Sequence, residues 1–129
     1  MLALDHGEAR CGCAVSDPSG TLATPLQVVE RPDTRKGLAR LGALAAELKA
    51  EVVVVGLPLT LAGERGHQAQ AAERFAEQLE RRVQVPVELY DERLTTRMAA
   101  GTGGSAQEDS RAAAHLLESW LASRRPTDG

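Results

Sequence analysis

Aromatic residues are nearly missing from this chain: Phe75, Tyr90 and Trp120 are its only ones. Modules that read single-stranded bases by stacking need several exposed rings, so that class is disfavoured. Cysteine is almost as scarce. Cys11 and Cys13, two positions apart, are the whole supply, so a disulfide framework is excluded and no Cys/His metal cluster can be assembled around them. On a strand they would share one face and be poorly placed to bridge each other. They read as small core residues of a reducing compartment. A surplus of positive charge is also missing. The net charge is −3, so any contact with a phosphate backbone needs a local basic patch rather than an overall field. No apolar run is long enough to cross a bilayer, and no signal peptide precedes the first one. The expectation is a cytoplasmic protein with no membrane contact.

What is present suits one globular domain. At 129 residues and 43% hydrophobic content, the chain can bury a core, made here of Leu, Val and Ala. Leu2 to Asp5, Cys11 to Asp17 and Leu26 to Glu30 read as three strands joined by turns, an antiparallel meander. The rhythm then lengthens. Leu38, Leu41, Leu44, Ala45 and Leu48 recur at helical spacing after Pro32-Asp33-Thr34. Val52 to Val55 is apolar at every position, as in a strand buried on both faces. Ala69, Ala72, Phe75, Ala76 and Leu79 mark a second helix, Val85 to Tyr90 a fifth strand, and Ala112, Ala113, Leu116, Leu117 and Trp120 a last helix. The order β-β-β-α-β-α-β-α predicts an α/β fold: a mixed five-stranded sheet, three strands antiparallel and then two parallel, flanked by helices. Residues 1–122 form the predicted domain and 123–129 a disordered tail.

Carboxylates stand at suggestive places. Asp5 ends the first strand, Asp91 and Glu92 end the fifth, and Asp109 opens the last helix. Ligands of open α/β sheets collect beyond the carboxyl ends of strands. From Asp109, the positions three, four, seven, eight and eleven residues later are the apolar stripe of its helix, so the acid falls on the sheet-facing side. An acid there calls for a partner such as a metal ion. Clustered carboxylates favour the hard cations Mg²⁺ or Mn²⁺. Each acid also has an ordinary reading: Asp109 as a helix cap, Glu92 as a solvated loop residue, Asp5 as a turn former. Gly7 and Arg10 bound a tight glycine turn that either approaches a phosphate or is a plain β-turn. Arg65 and His67 precede a helix, where anions bind. Arg81-Arg82 and Arg124-Arg125 read as solvated helix ends.

The stretch Leu4-Asp5-His6-Gly7-Glu8-Ala9-Arg10-Cys11-Gly12-Cys13-Ala14-Val15-Ser16-Asp17 resembles the opening motif of the YqgF/RuvX family. Val54-Val55-Gly56-Leu57-Pro58-Leu59, with Gly63 and Gly66, is similar to the family's central motif. Asp91-Glu92-Arg93-Leu94-Thr95-Thr96 resembles the third, and Asp109 with Ala112, Ala113, Leu116 and Leu117 the C-terminal helix. The motifs run in family order over nearly the whole chain. This resemblance implies an RNase H-like fold, kinship with Holliday-junction resolvases, and a hydrolase role in ribosome biogenesis: a nuclease for rRNA processing that matures the 5′ end of the small-subunit rRNA precursor. It implies Asp5, Glu92 and Asp109 as catalytic, metal-binding carboxylates for Mg²⁺ or Mn²⁺. Gly7, Arg10, Arg65, Arg93 and Thr95 are the substrate-binding candidates. Whether Asp91 or Glu92 is the inward acid stays open. One departure stands out: residues 98–108, a longer and basic segment in most members, are short, glycine-rich and free of Lys and Arg.

Three functions compete on the sequence. The first is a metal-dependent endonuclease on structured nucleic acid, with precursor rRNA preferred to a four-way DNA junction, acting as a monomer or homodimer. The second is a non-cleaving RNA-binding module. The third is an actin-like nucleotide binder using the Gly7–Gly12 turn, which the material for a single lobe disfavours.

Overall fold

Strand β1 (Leu2–His6) lies at the middle of the sheet, between β2 (Arg10–Ser16) and β5 (Val53–Leu57). The computed structural model describes residues 1–7, 9–16, 23–58, 66–91 and 106–124, without the side chains of 106–109 and 123–124. β1 and β2 form an antiparallel hairpin in which Asp5 faces Gly12. β5 and then β6 (Val87–Asp91) join in parallel on the other side of β1. The mixed sheet of the expected α/β fold is therefore present, antiparallel first and parallel later.

The strand count differs by one. The segment expected as a single third strand is split into β3 (Ala23–Pro25) and β4 (Val29–Glu30), both antiparallel to β2, giving six strands among the described residues. Ala14 faces Pro25 and Cys11 faces Val29. Three steps along β2 thus match four along its partner, which is the single extra residue of a β-bulge. Pro25 has no N–H to continue the ladder, and the bulge follows it directly.

Helix α1 (Arg35–Glu47) starts where Thr34 caps it, its hydroxyl accepting from the Gly37 N–H at 3.0 Å. It buries Leu38, Leu41, Leu44 and Ala45, as their spacing predicts. Helix α2 (His67–Glu80) buries Ala69, Ala72, Phe75, Ala76 and Leu79. Both cover one side of the sheet, against Leu2, Leu4, Cys11, Cys13, Val53 and Val55. Helix α3 (Ala106–Arg124) covers the other side, against Ala3, Ala14 and Val54. Its buried stripe is Ala113, Ala114, Leu116, Leu117, Trp120 and Leu121, so the sequence expectation missed Ala114 and Leu121, while Ala112 is half-buried. α3 also takes in Ser123 and Arg124, two residues of the expected tail; residues 125–129 lie outside the described residues.

The turn into α1 is held tightly. Arg31 has a left-handed backbone (φ 50°), Pro32 is fully buried, and the Arg31 carbonyl receives the Thr34 hydroxyl at 2.8 Å. A Cβ at Gly37 would stand 2.2 Å from that carbonyl oxygen and 2.8 Å from Pro32 Cα, both backbone atoms. Gly37→Ala is therefore expected to lower stability by about 1–3 kcal/mol, the usual cost of overpacking. Urea unfolding would register this as a lower midpoint at unchanged slope, and an unmoved midpoint would contradict it.

Candidate active site at the carboxyl end of the sheet

Alternation along β1 sends Leu2 and Leu4 toward α1 and α2, and Ala3 toward α3. Asp5 follows Ala3 on the α3 side and is half-buried. Its antiparallel neighbour is Gly12. On the other side, one step beyond the pair Leu4 and Val55, comes Gly56, which in turn faces Tyr90 of β6. The row across this side of the sheet thus reads Gly12, Asp5, Gly56, Tyr90. Two glycines beside the acid, both buried, leave its neighbours in the sheet without side chains. Arg10, two residues before Gly12, lies on this same side, half-buried and facing Glu30 across the ladder. Gly7 closes the hairpin, its N–H donating to the Arg10 carbonyl at 2.9 Å; a Cβ there would meet that oxygen at 2.9 Å.

The start of α3 is brought to the same row by one hydrogen bond. Ser110 is buried, and its hydroxyl donates to the Leu26 carbonyl at 2.5 Å. The Leu26 N–H donates in turn to the Cys13 carbonyl, and Cys13 faces Leu4. Ser110 therefore docks level with Leu4, one residue from Asp5 in the direction of the strand. At its other end, α3 meets β6, where the Tyr90 hydroxyl lies 3.0 Å from Ser119 Oγ. The helix crosses the sheet diagonally between these two attachments. Asp109 is the residue before Ser110 and lies one turn before Ala113 and two before Leu116, both buried. α3 begins at Ala106, three residues earlier, so Asp109 is not an N-cap.

The opposite side of β1 carries a feature the sequence did not signal. His6 Nε2 contacts both oxygens of Asp33, at 2.9 and 3.1 Å, and the ring stacks on Phe75 at 4.4 Å between centroids with 23° between planes. The Arg31 N–H donates to the Ala9 carbonyl at 2.9 Å. Together these contacts fix the turn into α1 against the hairpin that follows Asp5. The partner of His6 is 27 residues away, beyond the reach of any local sequence signal.

Asp91 ends β6 on the α2 side, because Tyr90 faces α3 and successive strand residues alternate. It is thus turned away from Asp5. Glu92, Arg65, Arg93 and Thr95 lie outside the described residues, as does the side chain of Asp109. Among the described residues, no three His, Cys, Asp or Glu side chains gather closely enough to hold a metal. His67 opens α2 and is exposed.

Cys11 and Cys13 share one side of β2, both buried and both free thiols, as expected. Hydrogen bonding with Cys13, then burial and the nearby charges of Asp5 and Asp33, pushes the Cys11 thiol well above its ordinary value. The same hydrogen bond draws Cys13 down, against burial and with help from Arg40. Both sit in the core on the side away from Asp5, so neither is placed to serve it. Among the described residues no helix is long and apolar enough to cross a membrane.

Comparison with known proteins agrees with this architecture. Residues 1–123 match the sequence profile of the family described as RuvX, Holliday junction resolvase. Candidate pre-16S rRNA nucleases of Mycobacterium tuberculosis and Mycobacterium bovis are 50% identical over 133 residues, covering 95% of this chain and 78% of theirs. That of Mycobacterium ulcerans is 45% identical, covering 99% and 81%. Among solved structures, Thermus thermophilus RuvC in complex with a Holliday junction substrate superposes with a TM-score of 0.50 at 19% identity, covering 98% of this chain and 97% of that one. At that identity the likeness speaks for the fold, which is RNase H-like.

Proposed function

This chain belongs to the RuvX family of Holliday junction resolvases, and from that premise we propose that it is a metal-dependent endonuclease whose substrate is the small-subunit rRNA precursor. One observation carries the reading. A half-buried Asp5 stands between two glycines at the carboxyl end of the central strand, and Ser110 pins the first turns of α3 one residue from that level.

In this reading Asp5, Glu92 and Asp109 hold the metal. Asp91 is turned to the α2 side, away from Asp5, which disfavours it and leaves Glu92 as the third acid of this reading. An all-carboxylate donor set suits Mg²⁺ or Mn²⁺. When bound, such an ion supplies positive charge to the phosphoryl oxygens and acidifies a water molecule. The chain's own residues do the rest. Gly12 and Gly56 keep side chains away from the phosphate, and Arg10 offers a guanidinium to its non-bridging oxygens on the same side of the sheet. Gly7 lets the hairpin backbone come close. In this reading Arg65, Arg93 and Thr95 add further contacts to the substrate.

The deciding assay incubates the protein with Mg²⁺ or Mn²⁺ and either a labelled rRNA-precursor fragment or a four-way DNA junction, at low salt because phosphate binding weakens steeply with ionic strength. Cutting of the RNA that a chelator abolishes is the expected result. Cutting of the junction alone would assign the chain to DNA. No cutting of either substrate, by folded protein with metal present, would sink the nuclease and leave a binding module.

A further inference from the structure

A nucleic-acid enzyme with net charge −3 needs a local basic surface, and residues 98–108 contain none. The structure offers another place. Arg31, Arg35, Lys36 and Arg40 are all exposed along the turn into α1 and its first turns. None of the four forms an ion pair or hydrogen bond through its side chain with a described residue. The two acids nearest in sequence are otherwise engaged: Asp33 is held by His6, and Glu30 faces Arg10.

The placement is unfavourable for the isolated fold on three counts. Arg35 and Lys36 open α1 at the positive end of the helix dipole, where acids are preferred and none is present. Lys36 and Arg40 are four apart, so like charges repel on one helix face. No acid lies three or four residues further on from any of the helical three, so the usual solvated pairing is missing. A solvated face built for stability would not look like this. A surface that meets a polyanion would.

Its location fits. The Arg31 N–H bonds the Ala9 carbonyl of the hairpin after Asp5, and Asp33, between Arg31 and Arg35, bonds the residue next to Asp5. The ridge therefore lies at the same end of the sheet as the proposed cutting site, but on the α1 side of it.

We propose that Arg31, Arg35, Lys36 and Arg40 form a phosphate-backbone ridge that grips the RNA flanking the scissile bond, the strand passing over the carboxyl edge of the sheet from the α3 side to the α1 side. This rests on the reading of the chain as a nucleic-acid enzyme, but its test reads binding and does not require cutting. Removing a ridge remote from the reacting phosphate raises KM and leaves the cutting rate at saturation unchanged.

The variant is Arg35→Glu/Lys36→Glu, and its control is Arg81→Glu/Arg82→Glu, an equal charge change on exposed residues beyond the end of α2. Acids at the start of α1 suit the dipole, so the variant retains its fold; Arg35→Gln/Lys36→Gln repeats the test without reversing charge. Binding of the labelled rRNA-precursor fragment is followed by anisotropy in chelator across a salt series. The expected loss is tenfold or more at low salt, with the logarithmic salt slope reduced by roughly one to two, two fewer phosphates being neutralised. The control is expected to stay within about twofold, since neutralising no phosphate leaves the slope untouched. Equal losses in both variants, or no RNA binding by the unaltered chain, would overturn the ridge. A loss confined to a four-way DNA junction would overturn its assignment to RNA. Ridge-dependent binding in a protein that never cuts would leave the ridge standing and remove the nuclease.

Discussion

Asp5→Asn is expected to reduce metal-dependent cutting by more than about a hundredfold, the upper end of what outer-shell partners of a metal cost. The substitution preserves size and one carbonyl oxygen, removes the charge and puts an NH₂ donor in place of the second oxygen. Asp5 is half-buried in the central strand, paired to Gly12, so its backbone ladders do not depend on the side chain. The fold is therefore expected to survive, and RNA binding in chelator to stay within severalfold, because the ridge on α1 is untouched. Single-turnover cutting at saturating RNA separates the two quantities. A variant that still cuts within tenfold of the unaltered protein would remove Asp5 from the site. Cutting that collapses together with binding would mean that the acid is needed for structure.

Phe75→Ala is expected to be the most destabilising single truncation of the core. Phe75 is fully buried in the layer between α2 and the sheet and stacks on His6. Truncating a buried Phe costs about 3–5 kcal/mol, transfer and cavity terms together. A domain of this kind has roughly 5–15 kcal/mol in all. The melting temperature should drop by about 10 °C or more at this chain length. The ring also supports one face of His6, whose other attachment is the Asp33 carboxylate. Losing it should loosen the hairpin end next to Asp5, so residual activity should fall further than the folded fraction does. A melting shift below about 3 °C would mean that the core closes around the gap far better than buried phenylalanines usually allow.

Much of this architecture is legible in the residues. The change of apolar period from two to between three and four at Pro32 marks the passage from meander to α1, and the Val52–Val55 run identifies a strand covered on both faces. Local signals sufficed because each concerns a few neighbouring residues. The split of the third strand was not legible, since a one-residue slip between β3 and β4 depends on how β2 presents its partners. The His6–Asp33 pair and the Ser110–Leu26 bond were invisible for a related reason: their partners lie 27 and 84 residues apart. The stripe of α3 was displaced toward Ala114 and Leu121, because its diagonal crossing of the sheet, rather than the sequence period, selects the buried side. For the site, Asp5 and Arg10 lie on the same side of neighbouring strands, Asp5 opposite Gly12 and Arg10 two residues before it. That Asp91 is turned to the α2 side depends on the sheet register, which no local sequence signal carries.

The diagonal docking of α3 also bears on when during synthesis the molecule becomes itself. Ala3, Ala14 and Val54 lie under α3, and nothing earlier in the chain covers that side of the sheet among the described residues. A ribosome-bound chain can build the hairpin and lay α1 and α2 on one side long before residue 110 emerges. Its other side stays wet until the last helix arrives, and the Leu26 carbonyl waits 84 residues for the Ser110 hydroxyl. The end of the sheet that carries Asp5 and the second half of the core are therefore completed in one late event, so the nascent chain passes through a half-covered stage with an exposed apolar sheet.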